Sequence, residues 1–446
     1  MFKLNFLTLT LLSISALSPA ETRGNADIYP ESSQAEQTEI LPMRTYCDMR
    51  EASIWIMAKP NSKLEISSNG KTSQITTNGD GIATARLNSL KPNTEYECKI
   101  AYSDKKDPPV LVSVKTIPDY EKRSPAPDFK FAIIGRVHTN DPVFDEPFKT
   151  PGGEYEIFDA VKKQNPDAVI WANNGAMFRT ADYGSLGGMK ARYRAERLNP
   201  SLKGLLASAP NYAVIGEDSY GAPDSDKNLW NKKDSVNAFK SFWLNPSFGV
   251  GSQENLASFF RYGDAEIFLL DDSTMRNNLD YKNSRPEMLG EEQLNWLLSS
   301  LKKSKAKFKI VVCNSPITNP VEDKGNFAFY KKERKDLLDF INENKIGGVL
   351  FVSAKKDYAE ITRMVRAGAH DLVEITVGPA TARPAKNATE VNFFRSIGSL
   401  VLQRSFATIS FEGDENDRQI KIDFFNSKGE NLLTQTIKAS ELYKFE

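Results

Sequence analysis

Lys355, Lys356 and Asp357 follow directly on the apolar run Gly347-Gly-Val-Leu-Phe-Val-Ser-Ala354, so two ammonium groups and a carboxylate arrive at the end of what reads as a buried strand. The same arrangement recurs along the chain. Arg136 and His138 follow Phe129 to Gly135, Asn173 and Asn174 follow Asp167 to Trp171, Glu217 and Asp218 follow Tyr212 to Ile215, and Ser273 follows Glu266 to Asp272. Carboxylates, amides and imidazoles at strand ends are the groups that hold divalent cations, which polarise a bound oxygen and lower the pKa of water. A protonated lysine is no ligand for a hard cation, and its charge repels one. These carboxylates are interrupted by cations, so metal binding and ion pairing compete for the same side chains. Other signals are weaker. His138 and His370 are the 2 histidines of the chain, and a lone histidine is more often structural than catalytic. Asp224-Ser-Asp226 has the reach of a calcium ligand, but such a pair in a loop is usually solvated surface.

The elements that position these residues fall into two regions. From Arg44 to Ile117, short β runs alternate with turn signals: Ser53 to Met57, Leu64 to Ile66, Ser73 to Thr77, Ile82 to Ala85, Tyr96 to Ile100 and Val110 to Val114. This spacing predicts a β-sandwich over residues 42–117. Pro118 to Asp128, with Pro125-Ala-Pro127, reads as a stiff linker. Residues 129–446 then alternate apolar strands with amphipathic segments, among them a helix at Tyr155 to Gln164, a helical region around Leu186 to Ala207, and helices at Glu291 to Ser304 and Tyr330 to Asn344. Such alternation predicts a layered α/β domain. The tail, from Ser399 to Ile437, returns to β runs and is expected to add a second, largely antiparallel sheet. Aromatic residues in loop-like stretches, Phe327, Phe329, Tyr330, Phe393 and Phe394, form either a partner surface or core.

Residues 1–20 carry a targeting signal: Lys3 is the positive start, Leu4 to Leu17 the apolar stretch, and Leu17-Ser-Pro-Ala20 the small-residue cleavage site. The mature chain is therefore expected outside the cytoplasm, in the periplasm, at the outer envelope or cell surface, or secreted. Residues 21–41, rich in Glu, Ser, Gln and Pro, read as a flexible leader. No later run reaches the roughly 18 apolar residues of a membrane span. Lys plus Arg and Asp plus Glu are 58 each, and removing Lys3 leaves 57 against 58, a net charge of −1. That balance supplies no basic field for nucleic acid. With three cysteines in an exported chain, Cys47 and Cys98 are either a disulfide or two separate buried thiols, and Cys313 is left over. Asn387-Ala-Thr389 is a glycosylation sequon, meaningful only in a cell that glycosylates.

Taken in order, several segments resemble the alkaline phosphatase D (PhoD-like) metallophosphatases from about Arg44 onward. They are Phe259-Phe-Arg-Tyr-Gly-Asp264 leading to Phe268-Leu-Leu-Asp-Asp272, then Met288-Leu-Gly-Glu-Glu-Gln-Leu-Asn-Trp-Leu297, Lys303 to Ile310, and Glu374-Ile-Thr-Val-Gly-Pro379. Leu90-Lys-Pro-Asn-Thr-Glu-Tyr96 resembles the tyrosine corner of fibronectin type III-like domains. The resemblance implies a calcineurin-like metallophosphatase α/β sandwich preceded by a fibronectin type III-like all-β domain. It also implies metal-holding loops at the strand ends, and there this chain departs from the family. Gly-Ser-Cys of the family is Gly135-Arg136-Val137 here, and Gly-Asp-Asn is Ala172-Asn173-Asn174. Trp-Asp-Asp-His-Asp-Tyr-Gly becomes Ile215-Gly-Glu-Asp-Ser-Tyr-Gly221, the arginine expected after Leu270-Asp271 is Ser273, and Ser-Gly-Asp-any-His becomes Ser353-Ala-Lys-Lys-Asp357.

If the fold is kept, Arg136, Asn173, Asn174, Glu217, Asp218, Lys355, Lys356 and Asp357 should converge at the carboxyl ends of the core strands, with His138 and Ser273 the other residues of the remnant site. Two arrangements follow. In one, Lys355 or Arg136 pairs with Glu217, Asp218 or Asp357 and fills the old metal volume with ion pairs. In the other, Arg136, Lys355 and Lys356 form a cationic cradle for a phosphate or carboxylate, with Asn173 donating hydrogen bonds. The expected function is non-catalytic, with no cofactor: an exported binding or scaffold subunit with protein partners in a cell-envelope complex. The alternative is a phosphatase or phosphodiesterase with a site rebuilt on Glu217, Asp218, Asp357 and His138, using Ca²⁺, Fe or other divalent metals.

Overall fold

The computed structural model describes residues 39–104, 107–120, 124–146, 150–252, 254–278, 285–366 and 368–445. The targeting signal and residues 21–38 of the leader lie outside them. Leu41, assigned to the leader, instead opens the first strand.

Seven strands make the β-sandwich: β1 (Leu41–Cys47), β2 (Ala52–Met57), β3 (Lys63–Ser68), β4 (Lys71–Thr76), β5 (Ile82–Leu87), β6 (Glu95–Tyr102) and β7 (Val110–Lys115). They form one sheet in the order β1-β2-β5 and another in the order β4-β3-β6-β7. Strand β6 has the alternation of a sheet with one wet face: Tyr96, Cys98, Ile100 and Tyr102 are buried, whereas Glu95, Glu97 and Lys99 are exposed. The Tyr96 hydroxyl accepts a 2.8 Å bond from the backbone N–H of Lys91, which makes the expected tyrosine corner. By contrast, every residue of β2 is buried. Its outer face packs on the α/β body, where Trp55 and Met57 join a core with Ile134 and Phe242. The Trp55 indole N–H donates to the Ser241 carbonyl at 2.8 Å. Of the two arrangements open for Cys47 and Cys98, the structure has the free, buried thiols. They sit on strands of different sheets, and the Cys47 thiol donates to the Lys115 carbonyl at 3.0 Å, so no disulfide joins them.

The α/β body comprises strands β8 (Phe129–Ile134), β9 (Ala168–Trp171), β10 (Asn211–Ala213), β11 (Ser258–Tyr262), β12 (Ala265–Leu269), β13 (Phe308–Val312), β14 (Val349–Ser353), β15 (Glu360–Met364), β16 (Leu372–Thr376), β17 (Ser405–Glu412), β18 (Gln419–Asn426) and β19 (Asn431–Lys438). Its helices are α1 (Ile157–Lys163), α2 (Leu186–Arg197), α3 (Pro200–Leu206), α4 (Lys232–Phe242), α5 (Glu291–Lys303) and α6 (Lys331–Glu343). Two six-stranded sheets, β10-β9-β8-β17-β18-β19 and β11-β12-β13-β14-β16-β15, face each other. Alternation along β8 shows how: Phe131 and Ile133 point into the inter-sheet core, while Ala132 and Ile134 point outward to helices α1 to α4. Helices α5 and α6 cover the other outer face through Leu294, Leu297, Leu301, Leu337 and Ile341. Burial on both faces is why these strands read as unbroken apolar runs.

The tail strands differ from expectation. They are antiparallel, but β17 pairs with β8, so they extend the first sheet rather than closing the domain with one of their own. The helical region at 186–207 is two helices, because Pro200 cannot continue α2 and instead starts α3, with Asn199 accepting from the Leu202 N–H as its cap.

Candidate functional site

Strands β8, β9 and β10 are parallel, as are β12, β13 and β14. Their carboxyl ends therefore open on the same side, and the loops there deliver the polar residues. Arg136 follows β8, Asn173 follows β9, and Glu217 and Asp218 form a 3₁₀ turn, Glu217–Ser219, after β10. Lys355 and Asp357 follow β14.

Arg136 grips Asp218 with both prongs of its guanidinium, Nε to Oδ2 at 2.8 Å and Nη2 to Oδ1 at 3.1 Å. Its remaining Nη1 bonds Asp357. Asp218 is the largest influence on Arg136 and, with Asp357, raises the guanidinium above its ordinary pKa despite burial. The Asn173 amide donates to Asp218 Oδ2 and to Asn314 Oδ1, each at 3.2 Å. Gly216 permits this: a Cβ there would lie 2.5 Å from the Asn173 amide oxygen.

Glu217 holds two cations. Its Oε2 accepts from Arg276 Nη1 at 2.8 Å and also bonds the Lys355 ammonium. Burial pushes this carboxyl up, but Lys355 and Arg276 outweigh burial and hold it at about 2. Since the folded pKa lies below the ordinary 4.5, Glu217 contributes stability above about pH 4.5, and that contribution is lost as the pH falls toward 2. Glu217→Gln is expected to flatten the acid side of a melting-temperature profile over that window and to cost on the order of 2 kcal/mol at pH 7. A profile of unchanged slope would contradict the pairing. Asp272, also buried here, is raised by desolvation although the Ser315 N–H donates to it at 2.7 Å.

Arg276 and Asn314 were not singled out in the sequence. The family pattern expects an arginine two residues past Asp271, where Ser273 stands; Arg276, three residues further on, brings a guanidinium into the site from the same loop. Ser273 itself is buried, its hydroxyl 3.3 Å from the Ile215 carbonyl. Three other residues turn elsewhere. Asn174 bonds the Tyr193 hydroxyl and accepts from Ser219. Lys356 pairs with Glu390, which also accepts from Tyr358 and Asn319. His138 joins a separate buried cluster: its Nε2 lies 2.9 Å from Arg179 Nη2 and 3.4 Å from Asp145 Oδ2, and its Nδ1 2.9 Å from Met177 Sδ. Burial and the Arg179 charge lower its pKa, which keeps the ring neutral near pH 7.

The donor set does not fit the divalent metals that the family resemblance implies. Glu217, Asp218 and Asp357 each face a cation, and Arg136, Arg276 and Lys355 against these three give 3 − 3 = 0, while the buried Asp272 accepts from the Ser315 N–H. Among the described residues, no group of three or more His, Cys, Asp or Glu side chains is placed to hold a metal ion. The same balance leaves no excess positive charge for an anion.

A family model described as PhoD-like phosphatase matches residues 190–424, more than half of the 446 residues. No curated protein matches the sequence. Among solved structures, one titled "Structure of PhoD" superposes with a TM-score of 0.70 at 13% identity, covering 89% of this chain and 88% of the other. The purple acid phosphatase PPD1 from yellow lupin (Lupinus luteus) seeds superposes with a TM-score of 0.66 at 12% identity, covering 90% of this chain and 74% of its own. The expected metallophosphatase α/β sandwich behind a fibronectin type III-like domain is thus the observed fold. With its sequence matched over more than half its length and its architecture over nearly all of it, the chain belongs to the PhoD-like phosphatase family.

Proposed function

We propose that this protein is a non-catalytic member of its family, exported from the cytoplasm, that serves as a binding or scaffold subunit of a cell-envelope protein complex. One observation carries the reading: guanidinium and ammonium groups of the chain itself stand among the strand-end carboxylates, where the family pattern calls for metal ligands. A metal ion entering there would have to displace three tethered cations, at the cost of leaving them unpaired. Export is supported by Lys3, the apolar Leu4 to Leu17 stretch and the Leu17-Ser-Pro-Ala20 site. No helix among the described residues is long and apolar enough to cross a membrane. Family membership favours the competing reading, a phosphatase or phosphodiesterase on a rebuilt site, and that reading requires Glu217, Asp218 and Asp357 to be released from their cations.

Elemental analysis of the purified protein, run beside hydrolysis of p-nitrophenyl phosphate and bis-p-nitrophenyl phosphate with added Ca²⁺, Fe, Mn²⁺ or Zn²⁺, separates the two. Substoichiometric metal and rates at the blank level are expected. Stoichiometric metal with turnover abolished by Asp218→Ala would reverse the assignment.

A further inference from the structure

Phe393 is 72% exposed, and on the same surface segment Val391 is 79% and Ile397 104% exposed; Val365, at the end of the neighbouring strand β15, is 68% exposed. Three large exposed apolar side chains within residues 391–397 are more than the single, scattered exposure usual on a protein surface. Beside them runs a groove of about 500 Å³ between helix α6 and strand β15, floored by Leu338, Met364, Phe393 and Phe394. Of the aromatic residues read from sequence as either core or partner surface, Phe327 and Tyr330 are buried, whereas Phe393 opens to solvent.

The charge of the groove selects its occupant. Lys331, Arg334, Lys335 and Arg366 against Glu322 and Asp339 give 4 − 2 = +2. Both acids are already paired, Glu322 with Lys331 at 2.7 Å and Asp339 with Lys335. The excess among the groove's own side chains thus rests on Arg334 and Arg366, whose guanidiniums donate to backbone carbonyls, Arg334 to those of Ile317 and Thr318 and Arg366 to that of His370, with Glu374 and Asp371 acting on them from outside the groove. Arg366 is only half-buried and its Nη1 makes no hydrogen bond, so the guanidinium has donor capacity left over. Strand addition is blocked, because residues 394–396 already occupy the outer edge of β15, with Arg363 N–H donating to Phe394 O and Ser396 N–H to Ile361 O, each at 2.8 Å. A second copy of this chain would set the same excess positive charge against itself.

We propose that the groove between α6 and β15 docks a segment of a partner protein in which a large apolar side chain lies beside a carboxylate. The apolar side chain fills the floor against Phe393 and Met364, and the carboxylate meets Arg366. This names the partner chemistry for the scaffold reading above and rests on it.

Selection of a random-peptide display library on the purified full chain tests the assignment. Enriched peptides are expected to place Leu, Phe or Trp near Asp or Glu. Synthetic copies should bind, by fluorescence anisotropy, roughly tenfold more weakly to Phe393→Ser and to Arg366→Gln, and the same loss should follow when the peptide acid becomes its amide. Melting curves of both variants check that they are folded. The proposal is overturned by a selection without consensus, by basic peptides, or by affinities unchanged in both variants. It is equally overturned if Phe393→Ser abolishes a dimer seen by sedimentation, or partition onto phosphatidylcholine–phosphatidylglycerol vesicles, with no peptide bound. Metal-dependent turnover would reverse the non-catalytic reading and leave a positive peptide result standing, so the two failures are distinguishable.

Discussion

Arg136→Met is expected to destabilise the folded protein by about 3 kcal/mol, read as a lowered urea midpoint, and to do so equally with and without EDTA. The guanidinium is the shared partner of Asp218 and Asp357, and methionine keeps much of its length while removing all its donors. Deleting one side of a buried pair typically costs about 3–5 kcal/mol because the other charge is stranded. The lower end applies here, since the side chains of Asp218 and Asp357 are 23% and 48% exposed and regain some water. Neutralising the stranded group should recover part of the loss, so Arg136→Met with Asp218→Asn is expected to be more stable than the sum of the single changes. The experiment also bears on function. In a metal site, removing a competing cation should raise metal affinity, and added metal should then protect the variant. In an ion-paired site metal offers nothing, and protection of Arg136→Met by Ca²⁺ or Mn²⁺ would contradict the present reading.

Arg418→Met should cost more, about 4 kcal/mol, although it lies far from any chemistry. Arg418 is fully buried at the start of the β17–β18 hairpin's second half and uses its donors five times: twice on Asp264, and once each on Asp128, Pro127 and Gly413. It thereby fastens the segment entering β8 to the turn before β12 and to the tail strands. Its loss strands Asp264, whose side chain is 10% exposed, and frees two backbone carbonyls. Asp128→Asn supplies the contrast. That carboxylate is 66% exposed, so its change should cost below about 1 kcal/mol. A thermal or urea series in which both changes cost the same would show that the guanidinium is not the anchor.

What was legible in the sequence followed from local physics. The apolar runs of β8, β12, β13 and β14 and the amphipathic α5 and α6 announce themselves because each buries a fixed set of side chains whatever the rest of the chain does. Strand β15 was missed for the opposite reason. Its Glu360 and Thr362 are polar, and only the return of residues 392–395 buries them, with Asn392 donating to both and Arg395 pairing with Glu360. Strand β1 is absent from the sequence reading, which runs the leader through Leu41, because Leu41 and Met43 are buried against the α/β body and not by a local pattern. At the site, Arg136, Asn173, Glu217, Asp218, Lys355 and Asp357 were legible through the family resemblance, which puts metal-holding loops at those strand ends. Arg276 was not, because a shift along a loop leaves no periodic trace.

By itself, then, the sequence determined the family architecture, the replacement of the metal-ligand types, and the presence of cations among the carboxylates at the strand ends. The tertiary structure decided which charge meets which. It sends Lys356 to Glu390 and His138 to Arg179, brings in Arg276, and sets Arg366, its Nη1 making no hydrogen bond, in the same groove as an exposed Phe393. The reason is physical: composition fixes how much charge a chain must bury, but an ion pair is a matter of a few ångströms, and those distances exist only once strands far apart in sequence lie side by side.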